Sequence, residues 1–306
     1  MLTNINALLL KQVEKRGGNV ALRFKKDGSW WQQTWAELAH SVRIHARTLH
    51  DKGVGPGQFI PLPRVPGPET LSQFLAIQWL GASTVIDASR DVYFALETEG
   101  STEAWDQDFL CLKADHVIVD VQNLEHGTEA YRLAEWTAHA EQLIRRDQLH
   151  EHDDAFGGPY WELILPWLVS GFRFHLPEHP ETLERDRSEF APTFMLETAG
   201  TYASWYQSLH GRLPQYGLGE GPKGWLARRR LRRILGLHRL RVALVQGGTL
   251  SQDILDFYES LGVTLEHRPY LSVWAQADDA WPRMPWLKGL FEVQDEAALD
   301  QYKVIL

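Results

Sequence analysis

The sequence predicts an α/β fold built as two subdomains, each a mixed or parallel β-sheet flanked by helices. Three observations predict it. Residues 59–62, a helical stretch over about 69–80 and residues 84–86 read as strand, helix and strand with short joints, which implies a parallel crossover. Residues 240–267 repeat that order, with Gln246-Gly247-Gly248 after the first strand and Gly262 after the helix. The 306 residues are 44% hydrophobic and 23% charged, an ordinary globular composition at a length that suits two subdomains. The expected boundaries are 1–150 for the first, 151–275 for the second and 276–306 for a tail rich in Trp, Pro and Asp.

The elements follow in order. Leu2, Ile5, Leu8, Leu9 and Val13 fall at helical spacing, and Gly17-Gly18 ends that pattern. The apolar run there covers only residues 7–10 with no basic segment before it, so a signal peptide is not expected. Residues 21–24 and 29–33 read as strands around an Asp27-Gly28 turn. Thr34-Trp35-Ala36-Glu37 is a capping box, and Trp35, Leu38, Val42, Ala46 and Leu49 then line one helical face up to a left-handed cap at Gly53. His40 and His45 of this helix are expected at its surface or edge. Residues 116–121 read as a strand and 128–146 as a helix. Residues 160–170 read as a buried helix with a kink at Pro166. Strands at 172–176 and 193–196 enclose a charged helix at 180–190. Helices at 202–209 and 222–235 come next, and Thr249 or Ser251 caps the helix ending at Leu261.

Composition excludes several classes. A net charge of −9 argues against nucleic acid as a partner. The single cysteine, Cys111, rules out an internal disulfide and suits a reducing, cytoplasmic setting; it reads as a small core thiol. No apolar run approaches the roughly 20 residues of a membrane span. Neither a Gly-x-Ser-x-Gly elbow nor a dinucleotide fingerprint is present. The stretch from His150 to Asp154 (HEHDD) reads as a solvated polar linker, with metal ligation as the alternative, and no metal is expected. Thirteen tryptophans point to an aromatic core.

One surface feature is distinct. Lys223, Arg228, Arg229, Arg230, Arg232, Arg233, Arg239 and Arg241 fall in a span with no acid between Glu220 and Asp253. The helix at 222–235 also carries Trp225, Leu226, Leu231, Ile234 and Leu235. A basic amphipathic helix can lie on an anionic membrane or meet an acidic partner; solvated arginines on a helix packed against the sheet are the plainer reading.

TWAELAHSVRIHARTLHDKGVGPGQFIPL, the WLGAS helix end with TVID, WELILPWLVSGFRFHLPEHPETLERDRSEFAPTFML and RLRRILGLHRLRVALVQGGTLSQDILDFYESLGVTLEH follow one another in an order that resembles the adenylate-forming, AMP-binding long-chain acyl-CoA synthetases. The likeness covers most of residues 7–270. It implies a truncated large domain of that family, ending before the family's ribose-binding Asp and its small mobile domain with the catalytic lysine.

The departures from the family pattern decide the functional expectation. Where the family has a Ser-, Thr- and Gly-rich loop ending in Pro-Lys-Gly that wraps the ATP phosphates, this chain passes from Asp153-Asp154-Ala155-Phe156 to Gly157-Gly158-Pro159. We read this as a shortened joint; a working loop is the alternative. Where the family has Tyr-Gly-x-Thr-Glu, here Glu266 and Tyr270 stand without the Thr or the Mg²⁺ carboxylate. Gly247, Gly248 and Thr249 remain of the family's Ser-Gly-Gly-Ala; a plain strand-to-helix turn explains them equally well. Gly247, Gly248, Thr249, Glu266 and Tyr270 are therefore expected as a vestigial nucleotide or acyl pocket, with no catalytic residue and no cofactor. The expected function is non-catalytic binding or scaffolding near fatty-acyl metabolism. One alternative is an AMP-forming fatty acyl ligase using ATP and Mg²⁺. The other is an adaptor in which Arg228, Arg229, Arg230, Arg232 and Arg233 face an acyl carrier protein, a catalytic paralogue or an anionic membrane, with peripheral membrane contact in that case.

Overall fold

The computed structural model describes residues 5–63, 67–87, 117–123, 127–132, 144, 149–158, 160–216 and 221–268. The chain divides into two units: Met1–Val20, Gln33–Arg145 and Leu271–Leu306 form the first, and Ala21–Gln32 and Arg146–Tyr270 the second. The division is not a single cut. After helix α1 (Ile5–Arg16), strands β1 (Val20–Lys26) and β2 (Ser29–Thr34) carry the chain into the second unit and back. They are neighbours in one sheet, joined at Asp27 (φ +51°) and Gly28 (φ +73°), the left-handed pair that a two-residue hairpin turn requires.

In the first unit the capping box forms as expected. The Glu37 amide donates to Thr34 Oγ1 (3.2 Å) and the Thr34 amide to Glu37 Oε2 (2.8 Å), starting α2 (Trp35–Asp51). Trp35, Leu38, Val42, Ala46 and Leu49 are its buried face. Gly53, at φ +81°, ends it: its amide donates to the His50 carbonyl and the Val54 amide to that of Leu49, satisfying two orphan carbonyls. His45 departs from the surface position expected of it. It falls three residues after Val42 on the same face and is buried; burial holds its pKa below the usual histidine value, opposed by Glu69.

Strands β3 (Phe59–Leu62) and β4 (Ser83–Asp87) flank α3 (Pro68–Trp79), in which every residue from 70 to 79 is buried. The Asn6 side chain donates to the Leu75 carbonyl (3.1 Å) and fastens α1 to it. The sheet order is β3-β4-β5-β6, with β5 at Val117–Asn123 and β6 at Gly127–Arg132. The first three strands are parallel and β6 is antiparallel to β5. This corrects the helix expected over 128–146, whose first residues are strand. Only residues 124–126 separate the two strands, so Asn123 faces Gly127 and pairing with β5 outweighs the helical periodicity read further on. Residues 133–143 and 145–148 lie outside the described residues, as do Cys111 and the 276–306 tail.

The second unit is built on a seven-stranded sheet ordered β11-β10-β9-β7-β8-β1-β2. Its elements after β2 are β7 (Asp154–Gly157), α4 (Tyr160–Ser170), β8 (Arg173–Leu176), a 3₁₀ turn (Pro180–Thr182), α5 (Leu183–Phe190), β9 (Phe194–Thr198) and α6 (Ala199–His210). A second 3₁₀ turn (Leu213–Tyr216), α7 (Gly221–Ile234), β10 (Val242–Gln246), α8 (Gln252–Ser260) and β11 (Leu265–Arg268) complete it. All pairings from β11 across to β1 are parallel. The helix α4 is buried from Tyr160 to Leu168, which matches its nearly unbroken apolar sequence, and it continues across Pro166. Trp167 fastens it to β1, its indole N–H donating to the Ala21 carbonyl (3.2 Å). Phe156, Met195 and Val245 of the sheet pack with Tyr202, Trp205, Leu231, Phe257 and Tyr258 of the helices.

Asp153 and Asp154 open the central strand and are not part of a solvated linker, unlike the exposed His150, Glu151 and His152 before them. Asp154 pairs with Arg173 (2.9 Å), Arg239 (2.8 Å) and His175 (2.8 Å); Asp153 pairs with Arg241 (2.7 Å) and accepts from the Thr193 hydroxyl (2.7 Å). Residues from β7, β8, β9's approach and β10's approach thus meet at two carboxylates. Burial opposes the charge on Asp154, but the hydrogen bond from His175 and the nearby cations outweigh it, and its pKa lies below the ordinary 3.8. Burial holds His175 below its own usual value, against the pull of Asp154, so the pair is carboxylate and neutral imidazole at neutral pH.

Asp154→Ala is expected to destabilise the protein by about 2–3 kcal/mol in urea unfolding, a value tempered by the half-exposed arginines that rehydrate. The Asp154 pKa is depressed in the fold. The contribution is therefore present above pH 3.8 and disappears as pH falls through the lower folded value, where variant and wild type converge.

Candidate functional site

The central strand β7 is where strand order reverses. From β7 the chain crosses to β8 on one side, and from β8 it returns past β7 to β9 on the other. The joints after β7 and β9 then leave the carboxyl edge toward opposite faces, and the crevice between them is the place where open α/β sheets bind ligands.

That crevice is built from very few residues. Gly158 and Pro159 are the whole joint between β7 and α4, as the sequence predicts for a shortened connection. A Cβ on Gly157 would stand 2.6 Å from Leu163 Cδ1 and 2.9 Å from the Leu196 carbonyl oxygen; one on Gly158 would stand 2.6 Å from Glu197 Oε2. Gly157 needs glycine because the Leu196 backbone already fills the space a side chain would take, whereas a side chain at Gly158 would displace the Glu197 carboxyl.

Glu197, near the end of β9, occupies the crevice. It is only 2% exposed, and its carboxyl lies close to the Gly158 and Thr198 amides and the Thr201 hydroxyl, which favour its charged form, while Oε1 makes no hydrogen bond among the described residues. Thr198 is the N-cap of α6, accepting from the Thr201 amide (3.2 Å). The glutamate therefore takes the position at a helix N-terminus where an anionic ligand is favoured. Burial pushes its pKa up to about 7, with Arg187 and the two amides pulling the other way. Arg187 is buried, lies 3.7 Å from the Trp205 ring centre and donates through Nε to the Leu235 carbonyl (3.0 Å). The buried Gln246 side chain at the end of β10 donates to the buried Glu162 carboxyl of α4, on the other face of the sheet from Glu197.

The structure brings some of the predicted pocket residues to this edge. Gly247 (φ +59°) and Gly248 (φ +63°) follow β10 directly, and a Cβ on Gly248 would lie 3.0 Å from that of Ala199 at the start of α6. Thr249 is exposed beyond them. Glu266 sits on the edge strand β11, in register with Leu244, exposed and two residues (about 7 Å) short of the strand's end. Tyr270 lies outside the described residues. The cleft nearest Thr198 and Thr201, about 520 Å³, is lined also by Ser204, Trp205, Glu181 and Glu184, and by no cation. Among the described residues no group of three His, Cys, Asp or Glu stands ready to hold a metal ion.

Sequence reasoning did not single out Glu197. Its signal was an acid closing the apolar run Phe194-Met195-Leu196, one residue before a capping threonine. The predicted cations Arg228, Arg229, Arg230, Arg232 and Arg233 all lie on α7, apart from this edge.

The fold is shared with solved adenylate-forming ligases. An acyl-CoA synthetase from Brucella canis superposes with a TM-score of 0.64 at 14% identity, over 87% of this chain and 56% of that one. The A domain of a carboxylic acid reductase from Segniliparus rugosus, solved with AMP and a co-purified carboxylic acid, gives 0.65 at 14% identity, over 87% and 59%. A benzoate CoA ligase from Burkholderia xenovorans gives 0.63 at 16%, over 88% and 61%. This chain therefore spans less than two thirds of the length of those structures, and identities this low speak for the fold alone. No family model matches the sequence, nor does any curated protein.

A carboxyl raised in the fold stabilises it fully below its ordinary pKa of 4.5, and that stability is lost as pH rises toward about 7. The loss for Glu197 should be roughly 3 kcal/mol. Glu197→Gln keeps the size and removes the charge. Its stability, followed by urea unfolding across that range, should stay level and exceed that of the wild type above neutral pH.

Proposed function

We propose that this chain, which has the α/β fold of the AMP-forming acyl-CoA synthetases, is a non-catalytic binding or scaffold protein that works near acyl-chain metabolism. One observation carries the reading: the buried Glu197 carboxyl fills the space against Gly158, beside the Thr198 amide and the Thr201 hydroxyl, that a phosphate would otherwise use. A polyphosphate is held by convergent N–H donors and cations. Here a buried carboxyl stands in front of the donors, the joint after β7 is one glycine and one proline, and proline has no amide to give.

The rival is an AMP-forming acid–thiol ligase that uses ATP and Mg²⁺. It draws on the activities named for the similar structures, the acyl-CoA synthetase and the benzoate CoA ligase. ATP would require Glu197 to leave its buried position and Gly158 to turn its amide outward. Mg²⁺ would require hard oxygen ligands at the same edge. Glu266 is a carboxylate on an outer strand, and Glu162 is already engaged by Gln246. Activating a carboxylate by adenylation also needs positive charge at the phosphoryl group being transferred. Neither these residues nor the cleft beside Thr198 supply it.

Calorimetric titration with Mg·ATP, with and without a long-chain fatty acid, should give no binding heat, and a coupled assay should detect no pyrophosphate. Saturable binding at micromolar ATP, or pyrophosphate release that depends on the fatty acid, overturns the proposal in favour of the ligase.

A further inference from the structure

The helix α7 and the cleft beside it form a second feature, independent of the crevice. The helix carries Lys223, Arg228, Arg229, Arg230, Arg232 and Arg233 and no acid in a protein whose net charge is −9. Gly224 and Leu231 are its only buried residues, so most of its surface is turned outward. Six large hydrophobic side chains are exposed among the described residues, and three of them are on this one helix: Trp225 (53%), Leu226 (57%) and Ile234 (49%).

The cations converge rather than merely surround the helix. A cleft of about 480 Å³ separates α7 from the carboxyl end of α8. Trp225, Arg228, Arg229, Arg232, Arg233 and His238 line it on one side, and the Glu259-to-Gly262 turn on the other. Arg229 lies 5.4 Å from the Trp225 ring centre, which holds its guanidinium at the rim. Arg232 is anchored through Nη2 to the Leu237 carbonyl (3.1 Å). The side chains of Arg230 and Arg233 make no hydrogen bond or ion pair among the described residues. Burial, with Arg233, Arg239 and Arg232 around it, holds the His238 pKa below its usual value, a sign of the positive field at this end of the cleft.

A protein partner and a lipid surface make different demands. A protein interface concentrates its energy in a few anchors gathered into one pocket. Here Trp225, Leu226 and Ile234 spread over about half of the helix circumference, with Arg229, Arg230 and Arg233 between them. That pattern suits an interfacial helix, whose Trp, Leu and Ile enter the headgroup boundary while its cations reach lipid phosphates. The negative charge of the chain as a whole would turn this face toward an anionic surface.

We propose that α7 and its cleft are a peripheral docking site for anionic lipid, in which the cleft arginines take the headgroup phosphate and Trp225, Leu226 and Ile234 enter the interfacial layer. Co-sedimentation with phosphatidylcholine vesicles, with and without phosphatidylglycerol, tests it. The wild type should bind only the anionic vesicles, and less as salt is raised. The triple variant Arg229→Gln, Arg230→Gln, Arg233→Gln should bind about 100-fold more weakly. Trp225→Ala with Leu226→Ala should weaken binding by about tenfold or more at unchanged charge. These positions are exposed, and an unchanged thermal melt will show that the variants fold. Absence of vesicle binding, or binding unchanged in both variants, overturns the proposal. If the arginines matter, the apolar pair does not, and inorganic phosphate displaces the protein, the site is one for a soluble anion. If vesicles fail but polyglutamate binds through the same arginines, the partner is an acidic protein. Either result also overturns the lipid assignment.

Discussion

The burial of the Glu197 carboxyl against Gly158, beside the Thr198 amide, sets the character of the second unit. A parallel sheet concentrates its anion-binding capacity at its carboxyl edge, where helix N-termini and strand-end amides converge. Here that capacity is taken by a side chain of the protein itself. The arrangement depends on Gly157 and Gly158, since any Cβ there would strike Leu163, the Leu196 carbonyl or Glu197. It depends equally on β7 lying between β8 and β9, which brings the joint after one strand against the end of another. A buried carboxyl with a pKa near 7 is a poor neighbour for a polyphosphate, and the proposed non-catalytic role rests on that incompatibility.

The two ends of β7 treat acids in opposite ways. At its amino end, Asp154 is buried among Arg173, Arg239 and His175 and remains ionised well into the acid range. Three residues further on, the crevice supplies amides and a hydroxyl but no direct cation, and the nearest acid is pushed toward neutrality. The same backbone thus fixes sheet register through charge at one end and closes the crevice with a buried carboxyl at the other. Their pH dependences run in opposite directions: the Asp154 contribution is lost as pH falls below 3.8 toward its lower folded value, and the Glu197 contribution as pH rises from 4.5 toward about 7.

Much of this was legible in the residues. The Thr34-to-Glu37 capping box, the Gly53 stop, the Asp27-Gly28 hairpin and the strand–helix–strand around α3 are local patterns, and short-range chemistry specifies them. The order of segments also pointed to the fold that the solved ligases share. What escaped were features made by distant partners. Asp153 and Asp154 read as linker because their arginines lie 19 to 88 residues away. The strand character of Gly127–Arg132 comes from β5 beside it. Glu197 looked like the end of an ordinary strand because nothing local reveals that Gly158 lies against it. Of the expected pocket, Gly247 and Gly248 reach the edge, whereas Glu266 stops short on the outermost strand.

Charge is distributed with the same selectivity: a negative chain carries one acid-free basic helix that also exposes Trp225, Leu226 and Ile234. On the proposed reading the protein's chemistry lies in such surfaces, with the crevice sealed. The seal can be observed at the Gly158 amide by heteronuclear NMR. Its resonance should titrate with a midpoint near pH 7, following Glu197, and should not move when Mg·ATP is added. A Gly158 resonance that ignores pH through this range and shifts saturably with Mg·ATP would contradict the account.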